Sequence, residues 1–259
     1  MTASADARRS LVVGLAMVLL VFCQSTLADM VATIERVKPS IVAVGTFAAT
    51  SNPQFSFRGT GFVVGDGNLA ATNAHVLPSS ASGISLESLA FQVRANGQNQ
   101  IRRARVLSIS IEHDLAMLQF DGPALPALVL KDSDSVREGM LIGLTGFPIG
   151  NALGFSPVTH RGMVSAITPI ALPGATSRQL NEKLVRRLRA GAFDILQLDA
   201  TAYPGNSGSP VFDAGSGEVV GIINMVLIRG TREAALSQPT GISYAIPSNF
   251  LLELLNASR

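Results

Sequence analysis

The chain has 259 residues, of which 47% are hydrophobic and 15% charged, and its formal net charge is +2. This balance excludes an intrinsically disordered chain and a coiled coil, and so small a net charge does not indicate a nucleic-acid-binding protein. One Cys and three His exclude a disulfide framework and a structural zinc site, so we expect neither a metal ion nor a cofactor.

The first predicted element is an export signal over residues 1–28. Arg8 and Arg9 precede an apolar run from Leu11 to Phe22, and small residues lead to a cut predicted after Ala28. The run is shorter than the roughly 20 apolar residues that a membrane-spanning helix needs. An uncleaved anchor or a buried first helix is the alternative. Once the signal is removed, we expect a periplasmic or secreted protein with no stable membrane anchor.

From Ile41 onward the chain consists of short β-rich runs separated by Gly, Asn, Asp and Pro. The clearest runs are Ile41–Val44, Gly61–Val64, Ala104–Leu107, Leu115–Leu118, Met140–Gly143 and Val219–Ile223. Gly65-Asp66-Gly67 lies between two strands, and Asp-Gly is a strong hairpin signal. This spacing predicts antiparallel barrels or a sandwich rather than βαβ units.

A connector and two helices complete the predicted organisation. The Pro-Ala-Leu-Pro stretch at 123–126 divides the chain into residues 29–126 and 127–259, each large enough for a small barrel core. Leucines at i, i+4 and i+8 within Ser177–Ala190 predict an amphipathic helix with a basic face. A second helix is predicted from Pro247 and Ser248 to Leu255.

A histidine and an aspartate occur where proton transfer could use them. His75 is expected at the end of a strand, where an imidazole could act as a general base. Asp114 directly precedes the strand that begins at Leu115, and its carboxylate could accept the Nδ1 proton of a histidine. Taken singly, each has a structural alternative, a core histidine and a turn cap. His113 would point away from Asp114 in an extended backbone and is assigned no role.

The decisive segment is Gly205-Asn206-Ser207-Gly208-Ser209-Pro210. A serine between two glycines lies where the backbone turns sharply and a substrate can approach closely. Such a turn can aim the N–H groups of Gly205 and Ser207 at one point, an oxyanion hole formed by the run Gly205, Asn206 and Ser207. A plain Gly/Ser loop is the alternative. The α/β-hydrolase elbow does not fit, because it needs Gly-x-Ser-x-Gly and the order serine, acid, histidine.

The order His75, Asp114, Ser207 is that of chymotrypsin. Three segments resemble the catalytic motifs of trypsin-like serine proteases of the bacterial HtrA/Deg kind: Ala71–Val76, His113–Ala116 and Gly205–Pro210. Two further regions are similar to that family's activation loop and to its closing strand and helix, respectively Gly146–Gly150 with Thr159–Ser165, and Gly241–Ser248. The resemblance extends over most of the chain after the signal.

This resemblance implies an all-β fold of two antiparallel six-stranded, chymotrypsin-like barrels, with a short C-terminal helix and a small helical loop insertion. It implies that His75 is general base and then general acid, that Asp114 orients it, and that Ser207 is the nucleophile. We expect the protease domain only, without the PDZ domain usual in HtrA proteins. Asn206 is neutral where pancreatic-type relatives carry an Asp that pairs with a freed N-terminus, so that charge switch cannot operate.

The resemblance also implies the substrate-binding residues. One wall of the specificity pocket would contain Thr201, Ala202 and Tyr203, and the other Ile222, Ile223 and Asn224. Burying a charged substrate side chain against these residues would leave it unpaired, so the pocket predicts small or medium apolar residues before the cut bond. With Ser209, the segment Gly205–Pro210 resembles the nucleophile loop of secreted glutamyl endopeptidases. Those enzymes bind glutamate through a His on the strand that here reads Gly221–Asn224, and no His lies there, so we do not expect glutamate specificity.

The leading interpretation is an exported serine endopeptidase that acts on unfolded or misfolded polypeptides. Two alternatives stay open: a catalytically silent protease-fold protein that binds polypeptides as a chaperone or scaffold, and an esterase with the same triad. The oligomeric state is left between monomer and trimer. The basic stretch Ser177–Ala190 is read first as a solvated helix face, with contact to an anionic surface or partner as the alternative.

Overall fold

The computed structural model describes residues 30–78, 87–95, 98–150, 154–169, 193–224 and 241–258. Within these ranges, twelve strands form two closed barrels of six antiparallel strands each, which confirms the predicted fold class. The predicted export signal and the predicted basic helix at Ser177–Ala190 lie outside the described residues.

The first barrel is formed by strands of very unequal length. They are β1 (Ile41–Phe47), β2 (Phe55–Val64), β3 (Leu69–Asn73), β4 (Ser88–Ala95), β5 (Gln98–Ser110) and β6 (Leu115–Phe120). Around the barrel they follow the order β1-β2-β3-β6-β5-β4, and β4 closes it by pairing with β1. This order makes β3 and β6 direct neighbours, although β4 and β5 separate them in the chain.

The second barrel repeats the same arrangement. Its strands are β7 (Leu141–Gly146), β8 (Val158–Pro169), β9 (Asp194–Asp199), β10 (Pro210–Asp213), β11 (Val219–Ile223) and β12 (Ile242–Pro247). They follow the order β7-β8-β9-β12-β11-β10, and β10 closes the barrel on β7. The chain crosses from one barrel to the other through residues 121–140, which include the predicted connector.

The predicted runs all coincide with strands, namely β1, β2, β5, β6, β7 and β11, with Met140 lying just before β7. The predicted hairpin turn joins β2 to β3, where Val64 pairs with Leu69. Gly65 and Gly67 both have a positive φ, 63° and 92°, which glycine adopts at no steric cost. Turn chemistry and strand propensity therefore agree at this hairpin.

Apolar side chains form three buried clusters. One fills the first barrel and includes Phe91 and Leu118, and another fills the second barrel and includes Leu144 and Leu198. The third and largest cluster draws side chains from both barrels and packs between them. The contact surface between the two barrels is thus part of the hydrophobic core.

The helices at the two ends each contact the barrel formed by the other half of the chain. The first helix, α1 (Met30–Val37), packs on the second barrel, where Thr33 Oγ1 donates to Gly215 O at 3.1 Å. The last, α2 (Ser248–Asn256), confirms the predicted C-terminal helix and contacts both barrels, β11 and β12 of the second and β5 and β6 of the first, where Phe250 stacks on His113. None of the described helices has the length and apolarity needed to span a membrane.

Two leucines of the second barrel test how far its core stabilises the fold. Leu198 in β9 is fully buried, whereas 58% of Leu141 in β7 is exposed. We expect Leu198→Ala to lower the free energy of unfolding by about 2–5 kcal/mol, because it leaves a cavity. Leu141→Ala should change it by no more than about 0.5 kcal/mol. Urea unfolding measures both, and equal effects would contradict this assignment of the core.

Candidate active site

Strand pairing brings His75 and Asp114 together. In the β3–β6 ladder the last residue of β3, Asn73, lies opposite the first residue of β6, Leu115. His75 lies in a single 3₁₀ turn, Ala74–Val76, directly after β3, and Asp114 lies directly before β6. The two residues therefore leave the same end of neighbouring strands, although 39 positions separate them in the chain.

The Asp114 carboxylate is hydrogen-bonded to His75 twice. Its Oδ2 lies 2.6 Å from His75 Nδ1, and its Oδ1 accepts from the backbone N–H of His75 at 2.9 Å. The backbone of Asp114 has a φ of 55°, a left-handed conformation that aspartate tolerates better than most residues. Its carbonyl accepts from Ala74 N and Asn73 Nδ2. Position and ring orientation of His75 are thus both fixed.

A third donor comes from the second barrel. Asn224, fully buried just after β11, donates from Nδ2 to Asp114 Oδ2 at 2.9 Å. Burial favours a raised pKa for Asp114, but the hydrogen bonds from His75 and Asn224 and the nearby imidazole outweigh it and hold the pKa below its ordinary value. The carboxylate is therefore ionised, although its side chain is only 8% exposed.

Two glycines allow the loop around Ser207 to pack closely. Gly205 has a φ of 103°, and a Cβ built on it would lie 2.3 Å from Phe147 O. Gly208 has a φ of 86°, and its Cβ would lie 2.1 Å from Thr60 O. Any other residue at either position would clash with backbone and be strained. The flanking glycines of the motif are therefore required by the fold of the loop.

The turn before Ser207 leaves two amides uncommitted. Tyr203 to Asn206 has the features of a type II turn: Pro204 second, a positive-φ Gly205 third, and an Asn206 N–H donated to Tyr203 O at 2.9 Å. Within the described part of the chain, the backbone N–H groups of Gly205 and Ser207 donate no hydrogen bond. Of the three residues predicted for the oxyanion hole, Asn206 thus has its amide engaged in the turn.

The orientation of the turn is held from outside. The central peptide of a type II turn is rotated by roughly half a turn relative to type I. Here the carbonyl of that peptide, Pro204 O, accepts from Ile149 N at 2.7 Å. Ile149 itself has a φ of 59°, which is rare and costly for a β-branched residue. The contact directs the carbonyl toward Ile149 and the Gly205 N–H to the other side.

The Ser207 loop meets the His75 segment at Gly59 in β2. A Cβ built on Gly59 would lie 2.7 Å from the Val76 side chain and 3.1 Å from Ser207 O. Among the described residues, no hydrogen bond joins the Ser207 hydroxyl to the His75 ring. Such contacts are commonly long in unliganded enzymes and tighten when substrate binds. The structure thus places the three predicted residues in one region, with the His75–Asp114 pair already formed.

The residues predicted to bind substrate divide into two groups. Thr201, Ala202 and Tyr203 are half-buried and lead into the Ser207 loop. Ile222 and Ile223 need correction, because their side chains are fully buried in the core and can present only backbone to a substrate. The predicted contact of Asn224 also needs correction, since its carboxamide is bound to Asp114.

Two further polar side chains near the site, those of Asn206 and His113, have very different surroundings. The Asn206 carboxamide is fully buried and finds no hydrogen-bond partner among the described residues, so a charged Asp there would be costly. His113 lies in a turn at residues 111–114, not in the extended backbone expected there, and stacks on Phe250 with ring centroids 3.9 Å apart. Across the described ranges, no three His, Cys, Asp or Glu side chains converge as metal ligands would.

Comparison with known proteins identifies one family. A family model described as a trypsin-like peptidase domain matches residues 59–222, more than half of the chain. The match runs from β2 to β11 and includes the segments of His75, Asp114 and Ser207.

Similar curated proteins are much longer than this chain. A probable periplasmic serine endoprotease, DegP-like, from Pseudomonas fluorescens is 29% identical over 76% of the chain and 34% of its own length. The serine protease HTRA3 of Homo sapiens is 28% identical over 86% of the chain and 43% of its own length. The chain thus spans less than half the length of either relative.

A solved structure supports the same fold. The HtrA-type protease AlgWS227A with tripeptide superposes with a TM-score of 0.62 at 24% identity, over 88% of this chain and 63% of that one. At this identity the likeness is one of fold.

The pairing of Asp114 predicts a specific pH dependence of stability. Because its pKa is lowered in the fold, the carboxylate stabilises the protein above its unfolded pKa of about 3.9, and this contribution is lost as the pH falls through the lower, folded value. The difference in unfolding free energy between the wild type and Asp114→Asn should therefore narrow on acidification from about pH 6 to about pH 2.5.

Urea unfolding across this pH range measures the difference. Asp66→Asn, at an exposed aspartate in the β2–β3 turn, is the matched control and should show an offset that hardly varies with pH. A pH-independent offset for Asp114→Asn as well would show that the carboxylate pairing does not stabilise the fold.

Proposed function

This chain belongs to the trypsin-like peptidase domain family, and we propose that it is an exported serine endopeptidase acting on unfolded or misfolded polypeptides. The observation that carries the proposal is the buried, ionised Asp114 bound to His75 Nδ1 at 2.6 Å, beside a Ser207 loop with two uncommitted amides. General base, nucleophile and oxyanion donors are what acyl transfer requires.

In the proposed reaction His75 moves the protons. With Nδ1–H donated to Asp114, the Nε2 lone pair is available to take the hydroxyl proton of Ser207 as Oγ attacks the substrate carbonyl carbon. The imidazolium then gives this proton to the leaving amine as the C–N bond breaks, leaving an acyl-enzyme. Water, deprotonated by His75, attacks the ester in turn, and Ser207 leaves with the proton. Asp114 stays ionised and stabilises the imidazolium.

The proposed oxyanion donors are the backbone amides of Gly205 and Ser207. The tetrahedral intermediate carries a negative charge on the former carbonyl oxygen, and fixed N–H dipoles stabilise it without reorganising. The Ile149–Pro204 hydrogen bond supports this role, because it keeps the Pro204 carbonyl out of the place that the oxyanion would occupy. Removing one such donor in other serine proteases costs about 10²–10³-fold in kcat.

The proposed location is the periplasm or the extracellular space. A basic n-region and an apolar run of signal-peptide length support export. The Pseudomonas fluorescens relative, named as a probable periplasmic serine endoprotease, supports the same compartment.

The proposed preference before the cut bond is for small or medium apolar residues. From Thr201 to Ser209 the chain carries no charged side chain. A substrate Arg, Lys or Glu would lose hydration here without gaining a partner from these residues, which is costly.

Labelling with a fluorophosphonate tests the nucleophile. We expect the wild type to be labelled and to digest β-casein, and Ser207→Ala to lose both, with kcat falling by about 10⁴–10⁶-fold. Ser209→Ala is the matched control in the same loop and should still be labelled. Labelling without digestion would indicate an esterase or a narrow substrate range. If the folded wild type is not labelled, the proposal of a peptidase is wrong and a polypeptide-binding protein is favoured.

Digestion of a peptide library tests the specificity. Mass spectrometry of the products should find Ala, Val and Leu enriched before the cut bond. Ser207→Ala, digested in parallel, identifies cleavages that come from contaminating proteases. Cleavage dominated by Arg, Lys or Glu at this position would contradict the apolar pocket.

A further inference from the structure

Thr60 lies where the two barrels meet. It belongs to β2, is fully buried, and stands between Gly59 and Gly61. A Cβ on Gly61 would lie 2.9 Å from Val44 and 3.0 Å from Ala71 O, so close packing on either side of Thr60 requires glycine. Gly59 thus lets β2 approach the Ser207 loop closely, and Gly61 lets its neighbours β1 and β3 pack against it.

Every polar atom of Thr60 is engaged. Its N–H donates to Ser207 O at 2.9 Å, and its hydroxyl donates to Gly205 O at 2.7 Å. The same hydroxyl accepts from Phe147 N at 3.1 Å, and Thr60 O accepts from Thr72 Oγ1 at 2.7 Å. One residue thus contacts the Ser207 loop twice, the segment that leads to Ile149, and the strand that leads to His75.

The two carbonyls that Thr60 holds belong to the two residues whose amides are uncommitted. The N–H and C=O of a residue are linked by only two soft torsions, so fixing the carbonyl restricts where the amide can point. Thr60 therefore restrains Gly205 and Ser207 together, and it does so from the other barrel. The Phe147 contact adds a restraint on the segment whose Ile149 amide holds Pro204 O.

We propose that Thr60 is a positioning residue for the oxyanion hole, its hydroxyl holding the Gly205 carbonyl so that the Gly205 and Ser207 amides converge. The role rests on the proposed function, since an oxyanion forms only if Ser207 attacks a carbonyl. Thr60 need not touch the substrate. Its effect is on the transition state, because the amides bind the charge that develops there.

Thr60→Val separates the hydroxyl from the rest of the residue. Valine keeps the shape and the backbone N–H to Ser207 O, but leaves Gly205 O and Phe147 N without their partner. We expect kcat for a peptide substrate to fall by about 10- to 100-fold with KM nearly unchanged. The affinity of a peptide aldehyde, whose adduct with Ser207 carries an oxyanion, should fall by a similar factor, while that of a product peptide should hold.

Two further variants establish that the hydroxyl is responsible. Thr60→Ser restores a hydroxyl and should recover most of kcat and of the aldehyde affinity. Thr33→Val is the matched control, because Thr33 is also buried and its hydroxyl also donates to a loop carbonyl, that of Gly215, but on the far helix α1. It should lower stability without changing kcat. Thr60→Ala, measured alongside with thermal unfolding, avoids the added methyl of valine and should show the same kinetic loss.

The outcomes distinguish this proposal from the proposed function. Wild-type kcat in folded Thr60→Val and Thr60→Ala, with Ser207→Ala inactive, would overturn the role of Thr60 and leave the peptidase intact. A rise in KM at constant kcat would overturn it too, since that pattern marks ground-state binding. A wild type that neither labels nor hydrolyses would overturn the peptidase, and the role of Thr60 with it.

Discussion

The buried charge of Asp114 is the constraint on which the site depends. A carboxylate removed from water is costly unless donors surround it, and here His75 supplies two and Asn224 a third. The donors come from both barrels, so the charge is fully paired only when the barrels are docked. The large apolar cluster between them provides that docking. Hydrophobic packing at the interface therefore supports hydrogen bonding at the site, since it brings Asn224 of the second barrel to a His75–Asp114 pair formed within the first.

The Ser207 loop is likewise held by residues of both barrels. Its turn is formed locally by proline and glycine, but its orientation is set by Ile149 within the second barrel and by Thr60 from the first. A positive φ at Ile149 is unfavourable in itself and persists because the surrounding contacts require it. Strain at this point and glycine at Gly205 and Gly208 are the local costs of a loop conformation that leaves two backbone amides uncommitted. The rest of the fold, with its long strand ladders, supplies the stability that offsets them.

Local chemistry explains what could be predicted from the sequence and what could not. The strand runs, the Gly65–Gly67 turn and the C-terminal helix follow from propensity and turn residues, and the order His75, Asp114, Ser207 follows from motifs. The third donor to the Asp114 carboxylate could not be predicted, because Asn224 reaches it through barrel docking between residues 110 positions apart. Ile222 and Ile223 were assigned to the pocket by their place in the chain, but a buried strand hides its side chains on both faces. The only sequence feature that marks Thr60 is a polar residue between two strand glycines. Its contact with the Ser207 loop could not be predicted, because the bonded Gly205 lies 145 positions away.

The terminal helices bear on how the fold would respond to a cut between the two barrels. Residues 121–124 of the connector are exposed, the kind of segment that proteases nick most readily. A cut there would yield two fragments, the first with α1, which packs on the second barrel, and the second with α2, which contacts both barrels. The fragments would remain associated through the contacts of α1 and α2 and through the shared core. A cut at the connector would thus produce a nicked complex in which Asp114 keeps its partners His75 and Asn224, and neither half would be an autonomous module.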